Sequence, residues 1–307
     1  MPFKNISNPK KLVTLEGPVK AAAYLKTPGL IAFASSDVGQ LFVASPSGTS
    51  PRVSKLGLTE VEDLALLSRD VAVARQGMET WALLGIGHTA KMDRIVDDAR
   101  QLAWRGAGQT ALVLGWAGNA SELSLKGNEV IVRAFSLRSD LRTAWIGSEG
   151  ETYVLSDGGQ GEFRIHPGAT PEPGAITKAS LDGAGVNLDR LSGGKFFSAA
   201  WRPNAHDVIT FSRAGNRVEV KNLRMDQPAT AVAVAETCLL VGTADGRVLL
   251  FDDTAIAEAS NHSIEAKHSV DVGGQPNVIL VVNNQIFIGT ATGDIKTSTL
   301  ARGDVAV

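Results

Sequence analysis

The side chains that could carry out chemistry are few and widely spaced. Three carboxylates, Glu62, Asp63 and Asp140, stand at or near the start of apolar segments, and they are the acidic groups that a shared metal site would use. A divalent cation held there could polarise a carbonyl group and activate water. The histidines show no His-Glu-x-x-His spacing and no Cys/His ligand spacing. They are His88, His166, His206, His262 and His268.

Composition limits the classes of partner. The chain has 307 residues, of which 44% are hydrophobic and 20% are charged, which is ample for a compact core. The net charge of −2 offers no basic stripe, so nucleic acid is not an expected partner. The chain starts without an apolar leader, contains no stretch as long as a membrane-spanning helix, and has Cys238 as its lone cysteine. We therefore expect a cytoplasmic protein without disulfides, membrane insertion or a cofactor.

The elements that must position these side chains follow from an internal repeat. Residues 231–252 and 278–299 align without a gap at an offset of 47 residues. The matching turn residues are Gly242, Thr243, Ala244 and Gly246 in the first copy and Gly289, Thr290, Ala291 and Gly293 in the second. A unit of roughly 40–50 residues with about four short strands and Gly turns is typical of a propeller blade.

The same pattern divides the rest of the chain into seven units. Their innermost strands are predicted to begin near Val19, Glu62, Gln101, Arg142, Phe196, Thr230 and Asn277. The predicted fold class is therefore all-β: a seven-bladed β-propeller of four-stranded antiparallel blades. Residues 11–307 are predicted to form this single domain, and residues 1–10 a flexible N-terminal tail.

A resemblance to a known family rests on the fifth and sixth units. Residues 198–223 place an aromatic residue, Pro and Asn before an apolar strand, which is followed by a Gly turn and a Val-x-Val strand. Phe251 and Asp252 stand where WD40 repeats have their Trp-Asp pair, although no unit carries that pair itself. In these features the chain resembles WD40-type propellers with degenerate repeats. The resemblance implies a noncatalytic scaffold that holds partner proteins on its loop face.

The two ends of the chain are predicted to meet. Only eight residues follow Thr299, and they show no fourth strand for the last unit. A spare strand-like segment, residues 11–16, precedes the first unit. We predict that this segment is the outer strand of the last blade and closes the ring, as in WD40-like propellers.

Aromatic residues recur at nearly the same point of four predicted inner strands: Tyr24, Trp104, Trp145 and Trp201. We predict that they pack between neighbouring blades rather than stack on a ligand. Trp81 and Trp116, on later strands, are assigned to the same interblade packing.

Irregularities between units predict a partner surface. The stretch 182–194, between the fourth and fifth units, is predicted to be a loop that projects from the face formed by the blade-to-blade connections, with Leu188, Arg190 and Leu191 as its contacts. The alternative is a loop folded back over the channel. The fifth unit shows no evident outer strand, which leaves three alternatives open: an exposed edge for β-augmentation, a short strand at 223–226, or a misplaced boundary.

Polar residues just before or at the start of inner strands extend this predicted surface. They are Glu60, Arg100, Asp140, Arg142 and Gln275. Mixed charge of this kind is typical of the rim of a protein interface, and also of ordinary solvated loops.

The function expected from the sequence is a noncatalytic interaction scaffold or adaptor subunit that binds one or more proteins. The alternative is a propeller enzyme or small-ligand binder, such as a metal-dependent lactonase, that uses Glu62, Asp63 and Asp140 in the central channel. A component of a larger lattice or coat is a third class.

Overall fold

The computed structural model describes residues 3–86, 91–104, 110–116, 119–136, 141–146, 152–156, 162–165, 177–180, 190–193, 197–214, 217–259 and 264–302. Strands dominate these residues, with a single short helix among them. The strands of the first half are β1 (Phe3–Ile6), β2 (Lys10–Thr14), β3 (Val19–Leu25), β4 (Leu30–Ser35), β5 (Gln40–Ala44), β6 (Arg52–Lys55), β7 (Val61–Leu66), β8 (Val71–Gln76), β9 (Glu79–Leu84), β10 (Lys91–Val96), β11 (Gln101–Trp104), β12 (Thr110–Leu114), β13 (Asn119–Lys126), β14 (Glu129–Ser136), β15 (Leu141–Ile146) and β16 (Thr152–Ser156).

The second half continues the pattern. Its elements are β17 (Glu162–Ile165), β18 (Thr177–Ser180), β19 (Arg190–Gly193), β20 (Phe197–Trp201), β21 (Ala205–Ala214), β22 (Arg217–Ala235), β23 (Cys238–Thr243), β24 (Arg247–Phe251), the helix α1 (Asp253–Glu258), β25 (His268–Asp271), β26 (Pro276–Val282), β27 (Gln285–Thr290) and β28 (Asp294–Arg302).

Hydrogen bonds group the strands into antiparallel sheets. Three sheets have four strands each, in the orders β3-β4-β5-β6, β7-β8-β9-β10 and β11-β12-β13-β14. Strands β26, β27 and β28 form a sheet that β2 and β1 join, β19 to β25 form one seven-stranded sheet, and β15-β16 and β17-β18 pair as hairpins. The prediction of an all-β fold with four-stranded antiparallel sheets is confirmed, as are the four strands of the second and third units.

Burial is greatest in the middle strands of a sheet and least in its last strand, and the first strands β3 and β26 combine buried residues with exposed or partly exposed ones. Every residue of β5 and β23 is buried, whereas β2 and β6 are mostly exposed. Apolar clusters lie between neighbouring sheets: one joins β3–β5 to β7–β9, a second joins β7 and β8 to β11–β13, and a third joins β3–β5 to β26–β28. Strands covered on both faces need continuous apolar runs, which explains the Val-, Ile- and Leu-rich inner segments.

The internal repeat is exact at the level of strand register. Ala231 pairs with Gly242 and Val278 pairs with Gly289, at the same offset of 47 residues as in the sequence. In both copies a threonine hydroxyl caps the next turn: Thr243 Oγ1 donates to the Arg247 carbonyl at 3.2 Å, and Thr290 Oγ1 to the Asp294 carbonyl at 3.0 Å. Gly246 and Gly293 then adopt φ angles of +88° and +87°, which glycine tolerates best.

The fifth unit differs from its prediction by one strand. Arg190–Gly193 pairs with Phe197–Trp201 and begins this sheet, so the strand near Phe196 is its second strand and not its innermost one. The first half of β22 pairs with β21 and supplies the fourth strand, while its second half pairs with β23 and begins the next unit. The apparent lack of an outer strand therefore came from a misplaced boundary. Its cause is the burial of all five residues of β20, which mimics an innermost strand.

The first strands of successive sheets contact one another. The contacting pairs are β3 with β7, β7 with β11, β11 with β15, β15 with β19, β19 with β22, β22 with β26, and β26 with β3.

The N-terminal segment runs antiparallel along the last strand. Lys10 lies opposite Thr297 and Thr14 opposite Asp294, and the Leu15 N–H donates to the Gly293 carbonyl at 2.9 Å. In two other sheets the residue after the fourth strand donates to the same glycine position: Leu56 to Gly39 at 2.6 Å and Val272 to Gly246 at 2.8 Å. The segment 10–15 therefore occupies the place of a fourth strand, and its predicted pairing with the last unit is confirmed.

The pairing extends further towards the N-terminus than predicted. Phe3 lies opposite Arg302 and Ile6 opposite Leu300, and the side chains of Phe3 and Ile6 are 1% and 2% exposed. They join the apolar cluster between β22–β25 and β26–β28. Residues 3–6, predicted as part of a flexible tail, thus form a strand because their two apolar side chains fill the gap between two sheets.

Polar contacts reinforce this pairing at its other end. The Asp294 carboxylate accepts from Lys11 Nζ at 2.8 Å and from Thr14 Oγ1 at 2.6 Å. Desolvation on its own raises the pKa of Asp294, but the hydrogen bonds from Lys11 and Thr14 and the charges of Lys11 and Lys296 outweigh it and hold the pKa below its usual value. The carboxylate is therefore ionised at neutral pH and binds the N-terminal strand.

The buried side chains of the N-terminal strand should carry its contribution to stability. We predict that Phe3→Ala lowers the free energy of unfolding by about 3 kcal/mol, because it removes a fully buried aromatic ring. Leu12→Ala, on the same segment but 36% exposed, should change it by less than ~0.5 kcal/mol. Urea unfolding followed by tryptophan fluorescence measures both, and equal shifts of the two midpoints would contradict the packing described.

Candidate functional site

One face of the molecule carries three of the eight residues predicted to bind a partner. It consists of the connections that lead from a fourth strand to the next first strand and the adjoining turns between second and third strands. We call it the connecting face. Within the described part of the chain it includes residues 15–18, 36–39, 56–60, 76–79, 97–100, 115–116, 202–204, 226–228, 244–246, 272–275 and 291–293.

Hydrogen bonds between connections and turns recur around this face. The Ser36 N–H donates to the Pro18 carbonyl at 2.8 Å, Ala244 donates to Pro228 at 3.1 Å, and Ala291 donates to Gln275 at 2.9 Å. Each of these bonds ties a connection to the adjoining turn of the same sheet. The side chains presented there differ from sheet to sheet, as is usual for surface loops.

Three of the predicted site residues lie on this face. Glu60 is exposed, with a φ of +55°, and its N–H donates to the Ser36 carbonyl. The Arg100 guanidinium lies 5.0 Å from the centre of the Trp116 ring. Gln275 is half-buried, and its Nε2 donates to Asn277 Oδ1 at 3.4 Å.

The other five predicted residues divide into two groups. Asp140 and Leu188 lie outside the described residues. Arg142 lies in β15, while Arg190 and Leu191 lie in β19, paired with Trp201 and Ala200. The prediction that Arg190 and Leu191 belong to a projecting loop is therefore wrong. The Gly- and Ser-containing sequence around them, DRLSGG, resembles a loop, but cross-strand hydrogen bonds to β20 hold it as a strand.

A cavity of about 530 Å³ lies between the first strands and reaches the connecting face. Its walls come from β3, β7, β11, β19, β22 and β26, and from the turn that contains Pro203 and Asn204. Cavities of this volume are large enough for a small molecule or for a few side chains of a partner.

Part of the polar lining of the cavity comes from bulges in the first strands. Four first strands carry a β-bulge, and the extra, unpaired residues are Lys20, Glu62, Thr230 and Asn277. In β3, β7 and β26 the bulge is at the second residue of the strand, whereas in β22 it lies near the start of the half that pairs with β23. All four line the cavity. Arg142 occupies the equivalent bulge of β15. A bulge turns one side chain away from the regular pleat, so it places a ring of polar groups at the cavity wall.

The sequence contains a signal for these residues. A polar residue directly follows an apolar one at the start of the inner segment in Val19-Lys20, Val61-Glu62, Leu141-Arg142, Ala229-Thr230 and Pro276-Asn277.

The two described carboxylates of the predicted metal site are bound to an arginine. Arg75 Nε donates to Asp63 Oδ2 at 2.6 Å, and an Arg75 amino group lies 2.5 Å from Glu62 Oε2. Asp63 and Arg75 are 8% and 6% exposed, and Asp63 Oδ2 also accepts from the Leu102 N–H at 3.1 Å. Desolvation lowers the pKa of Arg75, but the charges and hydrogen bonds of Asp63 and Glu62 outweigh it and raise the pKa. Arg75 thus stays charged and neutralises the position where a cation would bind.

Other polar groups of the cavity wall link neighbouring sheets. Thr230 Oγ1 donates to the Pro276 carbonyl at 2.5 Å, and the Val234 N–H donates to Ser192 Oγ at 3.1 Å. Together with the Asp63–Leu102 bond, these contacts join three pairs of adjacent first strands. These hydrogen bonds satisfy buried polar groups and hold neighbouring inner strands together.

Three further features of the described residues bear on function: metal ligands, membrane-spanning helices and a cysteine thiol. No three His, Cys, Asp or Glu side chains converge there to hold a metal ion. No helix there is long and apolar enough to cross a membrane. Cys238 is buried, and desolvation, followed by the charges of Glu236 and Asp252, raises its pKa to about 12, which leaves the thiol unreactive at neutral pH.

Two tryptophans depart from their predicted roles. Trp116 is 51% exposed on a turn of the connecting face, so its assignment to interblade packing is wrong. Trp201 is buried, but it ends the second strand of its sheet rather than an innermost strand, and it lines the cavity. Tyr24 does lie on a first strand, where it packs against the cluster between β3–β5 and β26–β28.

The buried ion pair generates a test of its structural role. We predict that Arg75→Ala destabilises the fold by roughly 3–5 kcal/mol, because it leaves the Asp63 carboxylate buried without its partner. Glu62→Gln should cost less than ~1 kcal/mol, since that side chain is 41% exposed. The double variant Asp63→Leu/Arg75→Met should recover much of the loss. Denaturant unfolding measures all three, and a mild effect of Arg75→Ala alone would contradict the assignment.

Comparison with known proteins identifies the fold but no family. No family model matches the sequence, and no curated protein sequence matches it. Solved structures do match, in 1348 chains, so the fold by itself selects no function. One is the crystal structure of Chaetomium thermophilum Raptor, with a TM-score of 0.70 and 11% identity over 99% of this chain. The chain spans 29% of that protein. This likeness and the four-stranded sheets fit a WD40-like β-propeller.

Proposed function

We propose that the chain is a closed, seven-bladed WD40-like β-propeller that acts as a noncatalytic interaction scaffold for one or more proteins. Two observations support the closed ring. The contacts between first strands run from β3 through β7, β11, β15, β19, β22 and β26 and return to β3. The N-terminal segment supplies the fourth strand of the last sheet. In this proposal residues 11–307 form one domain, and residues 3–6 add to its last sheet.

The observation that carries the scaffold role is the difference between polar side chains that are bonded inside the cavity and those that are exposed on the connecting face. Inside the cavity, Arg75 neutralises Asp63 and Glu62, and Thr230 and Ser192 are occupied by bonds between strands. On the connecting face, by contrast, Glu60 is exposed on a turn whose backbone is fixed. The polar groups named inside the cavity are thus occupied by contacts within the fold, whereas the exposed Glu60 side chain on the connecting face is accessible to a partner.

The net charge and the single cysteine support two further parts of the proposal: the partners are not nucleic acids, and the location is cytoplasmic. A net charge of −2 does not favour nucleic acid as a partner. The buried, lone Cys238 is typical of proteins from reducing compartments, which supports a cytoplasmic location.

The cavity supports a second candidate function. Its volume of about 530 Å³ and its polar lining residues Lys20, Gln101 and Asn277 suit a small polar ligand. A metal-dependent, lactonase-like reaction would need carboxylates free to bind a cation, and the pairing of Asp63 and Glu62 with Arg75 weighs against it.

The scaffold proposal predicts a partner that depends on the connecting face. The tagged chain, purified from its own organism, should retain at least one protein in stoichiometric amount. The triple variant Glu60→Ala/Arg100→Ala/Gln275→Ala should recover roughly tenfold less of it, because loss of central interface contacts weakens binding by at least that factor. Quantitative mass spectrometry measures the recovery.

A matched triple variant tests the location of the binding surface. Arg52→Ala/Glu129→Ala/Gln285→Ala removes the same side-chain types from outer strands and from the opposite end of a sheet, and it should leave recovery unchanged. The proposal fails if no protein is retained and the purified chain instead carries one equivalent of a divalent metal or of a small molecule.

A further inference from the structure

Three large apolar side chains are exposed at the same kind of turn in three successive sheets. Val38 follows β4, Met78 follows β8 and Trp116 follows β12, and their exposed fractions are 40%, 53% and 51%. We call these three residues the apolar arc. The corresponding turns of the two repeat units near the C-terminus carry Asp245 and Thr292 instead. The apolar arc is therefore a property of one side of the connecting face and not of the repeat.

Hydrogen bonds hold the turns of the apolar arc beside the connections between them. From Val38 towards Trp116, the donors and acceptors are Glu60 N to Ser36 O, Gln76 Nε2 to Thr59 Oγ1 at 3.3 Å, Ala99 N to Met78 O at 2.8 Å, and Arg100 N to Leu114 O at 2.7 Å. The arc thus rests on turns and connections that are joined across three sheets by three backbone hydrogen bonds and one side-chain hydrogen bond. Its side chains can be buried by a partner without reordering of the chain, which reduces the entropic cost of binding.

The arc also has the residue types that carry binding energy. Trp, Met and Arg are enriched at protein interfaces, and the Arg100 guanidinium already stacks on the Trp116 ring. A single exposed apolar residue on a surface needs no explanation. Three in successive turns of one face, with an arginine-stacked tryptophan at one end, indicate a surface that a partner covers.

The charges around the apolar arc indicate the charge of the partner. The carboxylates on these turns, connections and neighbouring strand ends are Glu16, Asp37, Glu60, Glu62, Glu79, Asp97 and Asp98, and the basic groups among or paired with them are Lys20, Arg75, Arg94 and Arg100. Acidic groups are in excess. Arg75 and Arg94 are moreover committed to carboxylates of this same region. A negative rim around apolar side chains is complementary to basic groups that flank apolar ones.

We propose that the apolar arc binds a segment of a partner protein in which apolar side chains alternate with Lys or Arg. The proposal rests on the scaffold function and names the surface and the partner chemistry for it. The apolar side chains of the segment cover Met78 and Trp116, and its cations lie against Asp37 and Glu60.

Selection from a random peptide library, with the full-length chain immobilised, tests this directly. Enriched peptides should be rich in Leu, Ile, Phe or Trp together with Lys or Arg, and should carry a net positive charge. The double variant Met78→Ala/Trp116→Ala should bind them at least roughly tenfold more weakly, as expected for loss of central interface side chains. The control Val53→Ala/Ile131→Ala removes two exposed apolar residues from outer strands and should bind like the wild type.

A charge variant separates the contribution of the acidic side chains from that of the apolar ones. Asp37→Asn/Glu60→Gln should weaken the same peptides less than the arc variant does, and the loss should shrink as salt is raised. Each of four outcomes would overturn the proposal: no enrichment, enriched peptides of net negative charge, equal binding to the arc variant, or a dimer in sedimentation that only the arc variant abolishes.

The last of these outcomes would identify a second copy of the chain as the occupant. Stoichiometric recovery of a protein partner from cells by the arc variant would leave the scaffold function standing while removing the arc from it.

Discussion

The antiparallel pairing of the two ends of the chain is the constraint on which the rest of the structure depends. Residues 3–15 run along residues 293–302, so the last sheet obtains its fourth strand from the start of the chain. That sheet cannot be completed until the whole chain is present. The buried Phe3 and Ile6 then link it to the preceding sheet, and Asp294 holds the segment through Lys11 and Thr14. The backbone groups along the edge of β28 are thereby hydrogen-bonded, so this edge cannot pair with another chain and promote aggregation.

The inner strands carry polar groups whose burial is compensated by hydrogen bonds and ion pairs. The bulges at Lys20, Glu62, Thr230 and Asn277 turn side chains towards the cavity, and Asp63, Thr230 and Ser192 bond across to neighbouring strands. The buried Arg75 fits the same logic, since its charge is compensated by two carboxylates. The interior is thus specialised for holding sheets in register. In the scaffold proposal, recognition falls to the connecting face, whose turns carry side chains that differ from sheet to sheet.

Much of the fold could be predicted because its signals are local. The 47-residue repeat and its Gly turns predict which residues of neighbouring strands pair. The lack of a fourth strand in the last unit predicts that residues 11–16 supply it. The boundary error at β19 arose because RLSG has a loop-like composition, whereas the fully buried β20 looks like an inner strand. The exposure of Trp116 and the burial of Phe3 depend on which sheets pack together, and sequence spacing does not contain that information.

Hydrogen exchange followed by mass spectrometry tests the central claim, that the paired ends unfold with the sheets and not before them. The account predicts that amides of residues 3–15 and 293–302 become exchangeable together, and as slowly as those of the buried strand β23, since all would require global opening. Exchange of residues 3–15 long before that of 285–302 would contradict it, because the N-terminal segment would then be a detachable tail on an already complete sheet.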